Sequence, residues 1–532
     1  MRLGSASAVL ALALSTTAFA AISWAATPRD ALVMAWNLDA VITLDPAQIA
    51  EVNGNDIMGN VCDTLVTLDY RNPSEFRPKM AESWTVSADG RTLTFKLRPD
   101  LKFPNGRPAT AEDLAWSMQR VLKLNFGNAA NLTEWGFKKE TADASFRATS
   151  PQTFEVSLPE PYPLPLLLYG AFATNVSMIL DRVEGEKNAK GEDLGNNWFK
   201  TNSSCVGPYR VRSWTANDAV VLERNDVYYG QKPALVRVII RHVPESGAQR
   251  LLIEKGDVDV ARLLNSDDLK ALAGKKDIRV EQTAMHSYIH LMFNTTDPAF
   301  ADPRVRMAFR HLVDYDGLAK TVMAYQGVPR ASVVPFGAFG ALDEKEGQPF
   351  KLDIAKAQAL LKEAGQADLK RKMVVMGVTP YPDLAQHVQA NAAKAGVTLE
   401  LEQMAPAQVF TKARAREYQM MLINWGVRYP DAHNMVSRHV MNPDNRPEAK
   451  LAQYPAWRAA WQDPAMNELG QKAMMERDPE KRRALYREIQ LKNMETGPMA
   501  YMFQVIRSIA VRDEVKGFQM SPFKVGYETA AK

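Results

Sequence analysis

From residue 31 onward, short apolar runs of strand length alternate with capped helical segments along almost the whole 532-residue chain. Ala31-Leu32-Val33-Met34-Ala35-Trp36, Thr92-Leu93-Thr94-Phe95-Lys96-Leu97 and Met420-Met421-Leu422-Ile423 read as strands. Similar runs begin at Thr153, Ala219, Val236, Ile289 and Met373. Helix starts lie between them. Thr110 is placed to cap a helix through Leu122, with Glu112 and Asp113 favoured in its first turn. Asp302-Pro303 and Asp478-Pro479 open two more, the second reaching about Asn493, because proline suits the first helical position. Asp353 caps a helix that Gly365 stops, with Ala357, Leu360, Leu361 and Ala364 as its buried stripe. Such interleaving predicts an α/β fold. At roughly 150 residues per unit, the length suggests about three units. No long flexible linker separates them, so they are expected to pack into one body. Pro159 to Pro165 reads as a rigid surface connection, and Gly337 to Gln348 as a loop between lobes or over a cleft.

Charge excludes one class of partner. Lys and Arg number 65 against 61 Asp and Glu, a net +4 with no basic excess, so no nucleic acid is expected. The N-terminus predicts export. Arg2 precedes the apolar stretch Ala8 to Ala21, and small-residue sites stand at its end, Ala18-Phe19-Ala20, and beyond it, Ser23-Trp24-Ala25. Residues 1–26 therefore read as a signal peptide cleaved near Ala25 or Ala26. The run is shorter than the ~20 residues a membrane anchor needs. No cysteine stands near the cleavage point, so no lipoprotein anchor is expected, and a Gram-negative periplasm is the expected location. Cys62 and Cys205 are the two cysteines. In an oxidising compartment they form either one disulfide or two buried thiols. The chain lacks GxSxG, HExxH, P-loop and GxGxxG patterns, so neither an enzyme nor a cofactor is expected. His286 and His290 are four apart, and His433 and His439 follow Trp425, but no acidic or sulfur cluster joins them and no metal is expected.

Several segments carry a family likeness. In order they are Leu44-Asp45-Pro46-Ala47, Cys62-Asp63-Thr64-Leu65-Val66, Pro78 to Trp84, Ser87-Ala88-Asp89-Gly90, Phe103-Pro104-Asn105-Gly106 and Thr110-Ala111-Glu112-Asp113. Gly207-Pro208-Tyr209, Glu223 to Tyr229, Gly256-Asp257-Val258-Asp259, Phe293-Asn294-Thr295, Val305-Arg306 and Trp425-Gly426 with Tyr429-Pro430-Asp431 continue the series. The chain thus resembles the bacterial extracellular solute-binding protein family 5, which includes the dipeptide-, oligopeptide- and nickel-binding proteins of ABC importers. The resemblance implies a two-lobed periplasmic binding protein fold, class II-like, with an extra subdomain on lobe one. Lobe one would hold 27–283 and a returning tail, 503–532; lobe two would hold 284–502. Connecting strands would run near Thr283 to Ser287 and Ala500 to Phe503. It also implies a monomer that captures a small-molecule or peptide ligand between its lobes and delivers it to an ABC permease in the inner membrane. Opines, oligosaccharides and metal chelates are alternative ligands within this reading. A periplasmic sensor or chaperone, or a hydrolase, are the alternatives outside it.

The family likeness also points to ligand-binding residues. Trp425 ends an apolar strand where the family places an aromatic in the cleft; a core tryptophan is the plainer reading. Arg428 stands where peptide-binding members carry an Asp for the ligand's ammonium group. A guanidinium there favours a carboxylate, a phosphate or a neutral polar group instead, unless it is solvated or paired with Asp431. Tyr429 and Asp431 adjoin it. Trp36 and Asn37 close the first strand, where ligands gather in doubly wound sheets. Trp135 stands in a segment placed either to line the cleft or to pack in a core.

Overall fold

A computed structural model of the chain describes residues 27–39, 41–49, 51–69, 75–426 and 429–532. The predicted signal segment 1–26 and Arg428 lie outside the described residues. Among the described residues, no helix is long and apolar enough to cross a membrane.

One mixed sheet runs through the molecule. Its order is Thr398–Met404, Lys370–Met376, Met420–Gly426, Ile278–Phe293, Met499–Arg512, Val260–Arg262, Ala31–Trp36, Arg237–His242, Ala219–Arg224 and Tyr209–Thr215. Gly327–Pro329 adds along Met499–Arg512. Ala31–Trp36 is parallel to both its neighbours, and so is Lys370–Met376. Parallel neighbours need crossovers. Helices Ser246–Lys255, Tyr381–Lys394 and Pro406–Ala415 supply them.

Two long antiparallel strands, Ile278–Phe293 and Met499–Arg512, join the two halves. The 509–511 stretch of Met499–Arg512 borders Val260–Arg262, and the 287–293 stretch of Ile278–Phe293 borders Met420–Gly426. Between Ala284 and Tyr288 their ladder shifts register, and extra residues in one strand bend it. Gln504, fully buried, braces this crossing. Its Nε2 donates to the carbonyls of Met285 (3.0 Å) and Phe336 (3.1 Å), and its Oε1 accepts from the Phe336 N–H (2.8 Å).

Register also sets what points at the crossing. Trp425 and Gly426 stand opposite Tyr288 and Ser287. Arg262 stands opposite Ile509, with Ala31–Trp36 in parallel beside it. Strands from both halves thus aim their C-terminal ends at the same stretch, where ligands collect in open α/β sheets.

Alternation assigns the cores. In Ala31–Trp36, Leu32 and Met34 join Val238 and Val511 on one face; Val33 and Ala35 join Ile253 and Ala510 on the other. Such a strand is buried on both sides, which is why it reads as an unbroken apolar run. The other half of the sheet packs Leu291, Phe293, Phe309, Val375, Leu422 and Phe503. A third core lies under a separate antiparallel sheet of Ala81–Val86, Thr92–Leu97, Thr153–Ser157 and Phe146–Ser150, covered by helix Ala111–Leu124. At that helix's start the Asp113 carboxylate accepts from the Thr110 N–H (3.0 Å), and Asn125 ends it in the left-handed region (φ 53°). The Leu44-Asp45-Pro46 segment has a structural job. Buried Asp45 accepts from Arg120 Nη1 of the same helix (2.8 Å) and from Asn196 (2.6 Å). Cys62 and Cys205 are joined by a disulfide.

Candidate functional site

Two groups of residues lie where the halves meet. The first forms the floor at the crossing. Trp36, 2% exposed, ends its strand against the Arg262 guanidinium, which stacks 3.6 Å from the ring centroid. Arg262 donates to Asp56 and to the Tyr527 hydroxyl (3.1 Å). Burial works against its charge, but Asp56 and Tyr527 more than offset this and raise its pKa above the usual value. Asn37, half-buried, is used locally: its side-chain oxygen accepts from the Asp39 N–H (2.8 Å) and its carbonyl from Asn53. Arg507 stands opposite Thr283 on the second long strand. His286 packs edge-on to Phe523 at 5.0 Å, and burial lowers its pKa to about 4, so it is neutral at pH 7. Trp425 is half-buried, with the Arg458 guanidinium 5.0 Å from its ring and the His439 ring edge at 5.3 Å.

The second group forms a seam farther out. Glu134, beside the separate antiparallel sheet, accepts from Arg438 of the other half (2.6 Å) and from the Tyr429 hydroxyl (3.4 Å). Burial opposes the Arg438 charge, but Glu134 holds its pKa above the ordinary value. Tyr429 stacks on Tyr169 with centroids 6.1 Å apart and an 11° interplanar angle, and so joins the core of the separate sheet. Trp135 is fully buried there, 5.4 Å from Tyr162 and 6.3 Å from His433. A cavity of about 420 Å³ opens at this seam between Glu134 and Tyr162 on one side and Arg438, Tyr454 and Met474 on the other. Asp431 lies behind it. Its two oxygens accept from Arg482 (2.7 and 2.6 Å), and one also caps the following helix at the His433 N–H. Both oxygens are thereby engaged within the protein.

The structure therefore brings Trp36 and Trp425 to the two sides of the crossing, and Trp135 and Tyr429 to the seam. Asp431 is held in place behind them. Sequence reasoning passed over Arg262, Arg507, Glu134 and Arg438. The first two were marked by a visible signal: charge inside otherwise apolar strands, at Val260-Ala261-Arg262 and Val505-Ile506-Arg507. Glu134 and Arg438 carried none, since nothing local pairs residues 304 positions apart. Among the described residues, no group of three or more His, Cys, Asp or Glu side chains comes together as a metal site.

Comparison with known proteins agrees with this architecture. Over 518 residues the chain is 26% identical to "Probable D,D-dipeptide-binding periplasmic protein DdpA" of Escherichia coli (strain K12), covering 97% of this chain and 96% of that one. The dipeptide-binding protein of Pseudoalteromonas sp. SM9913, solved with Met-Leu, superposes with a TM-score of 0.79 at 22% identity, over 94% of this chain and all of its own. The Agrobacterium tumefaciens R10 protein MoaA, solved with mannopinic acid, superposes at 0.78 with 23% identity, over 94% and 99%. The family model described as "Bacterial extracellular solute-binding proteins, family 5 Middle" matches residues 75–446. On that match the chain belongs to the bacterial extracellular solute-binding proteins of family 5.

Proposed function

We propose that the mature chain captures a peptide or peptide-like solute between two lobes and delivers it, chemically unaltered, to an ABC permease. Lobe one is 27–283 with the tail 503–532, and lobe two is 284–502. The supporting observation is the convergence of strand ends from both halves on one bent pair of strands. A ligand touching both sides favours the closed arrangement by its differential affinity alone. Peptide is the favoured solute because the relative matching along 97% of this chain bears a dipeptide-binding name. Export by residues 1–26, a periplasmic location and a monomeric state complete the reading.

In this reading Trp425 gives the ligand an aromatic face, and Trp36 and Asn37 close the opposite wall. Tyr429 and Trp135 seal the seam, and Asp431 positions Tyr429. The positive charge that Arg428 adds to the Trp425 segment argues for an anionic or neutral polar ligand group there. The test is native mass spectrometry of freshly purified protein, followed by small-angle scattering with and without the compound that co-purifies. A smaller envelope with ligand and unchanged ligand mass are expected. An identical envelope, or a transformed compound, refutes the proposal.

A further inference from the structure

The floor of the crossing holds hydrogen-bond donors that nothing among the described residues satisfies. Arg507 Nη1 and Trp36 Nε1 are buried and have no partner among the described residues. The Tyr527 hydroxyl accepts from Arg262 and donates to no described group. All three surround Arg262, which stacks on Trp36 and bonds Tyr527. A buried donor left unpaired costs stability, so native proteins seldom keep one without a use.

The charges there are equally one-sided. The carboxylate within electrostatic reach of both guanidiniums is Asp56. One of its oxygens takes Arg262 and the other takes the Val525 N–H (3.3 Å). Arg507 has no ion pair of its own among the described residues: burial lowers its pKa, the Asp56 charge offsets only part of this, and the Arg262 charge adds to the lowering. Position gives the arrangement a purpose. Arg507 sits two residues from Ile509, which is level with Arg262, and three from Gln504, which is level with Tyr288. It therefore stands between the converging strand ends of the two halves.

We propose that this floor is an anion subsite, in which a carboxylate of the ligand is taken by Arg507 with the Tyr527 hydroxyl and Trp36 Nε1 beside it. An acceptor-only group answers the two orphaned donors and the hydroxyl hydrogen of Tyr527, and a charge-assisted bond to a planar guanidinium is its strongest form. The subsite rests on the solute-binding reading above and specifies which end of the solute the floor recognises.

The test uses the full mature protein, unfolded in guanidinium to strip any ligand and refolded. Calorimetry compares Ala-Ala, its C-terminal amide, its N-acetyl derivative and succinate on the wild type, Arg507→Gln and Arg507→Lys. Amidation is expected to weaken binding to the wild type by roughly 100-fold, and Arg507→Gln to weaken the free acids by a similar factor. The two losses should not add, because they remove the same bond. Lysine should restore part of the affinity, and the N-acetyl derivative should keep its dependence on Arg507. Without ligand, Arg507→Gln should melt at or above the wild-type temperature, since it removes a buried cation that the Asp56 charge offsets only in part. A lower ligand-free melting temperature, or equal binding of acid and amide, overturns the subsite while leaving peptide capture intact. Succinate binding that depends on Arg507, with no peptide bound, upholds the subsite and removes the peptide reading. Failure of every probe overturns both.

Discussion

The crossing and the seam both join the two halves, but by different forces. At the crossing, Ile278–Phe293 and Met499–Arg512 form a backbone ladder, and Gln504 bonds the Met285 carbonyl within the register shift and ties it to Phe336. Parting it would expose buried backbone groups to an unpaired state. At the seam, the described contacts are between side chains: Glu134 with Arg438, Tyr429 on Tyr169, and Trp135 beside His433. These groups have water as an alternative partner. The difference separates a fixed axis from a surface able to open, which is the division of labour that closure around a solute requires.

Acid should break the crossing first, and this is the largest effect expected. His286 and His290 both lie on Ile278–Phe293, and burial lowers their pKa values to about 4 and about 3 from 6.5. The Arg458 charge adds to the lowering at His290. The unfolded chain binds these protons more readily, so stability is full above pH 6.5 and falls as pH drops through that value. By pH ~4.5 the two histidines should have removed about 5 kcal/mol. At the seam, His433 faces Glu134 and Asp431, whose charges partly offset its burial. Urea titrations at pH 7.5, 6.0 and 4.5 check this, and His286→Phe should flatten the dependence. A pH-independent midpoint would remove the distinction.

Gln504→Leu comes next. It strands two carbonyls and one N–H at a part-buried site, for a loss of about 2 kcal/mol. Chemical denaturation should show that loss, while the scattering envelope of the folded protein stays as it was. The double variant Glu134→Gln, Arg438→Met should do the reverse. Replacing both partners avoids leaving one buried charge alone, so stability should fall by only about 1 kcal/mol. With ligand bound, the envelope should nonetheless expand, because the seam has lost its ion pair. Equal envelopes for this variant and the wild type would mean that the seam does not hold the closed form.

What the chain revealed before folding follows the same division. Period-2 and period-3.6 patterns are local, so the strands at Ala31 and Met420 and the helices at Thr110, Asp353 and Asp478 could be read directly. Trp36 and Trp425 were singled out because strand ends are local too. Arg262 and Arg507 needed the register that brings two distant strands to one level. Glu134 and Arg438 needed the packing of separate cores, which no window of sequence contains. Asp431 read as a neighbour of the ligand, yet its oxygens are engaged by Arg482, 51 positions away.

The smallest effect expected sharpens the seam further. The Tyr429 hydroxyl lies 3.4 Å from Glu134, long for a hydrogen bond. Burial, with Glu134 and Asp431 nearby, raises its pKa well above the ordinary value, so the phenol stays neutral. Tyr429→Phe keeps the ring on Tyr169 and removes only that weak bond. It should cost under about 0.5 kcal/mol and leave the envelope closed. Tyr429→Ala removes the ring as well, and a buried aromatic contact with its area is worth several times more. It should open the seam as the double charge variant does. If the phenylalanine variant opened the seam and the double charge variant did not, the hydroxyl rather than the ion pair would be its fastening.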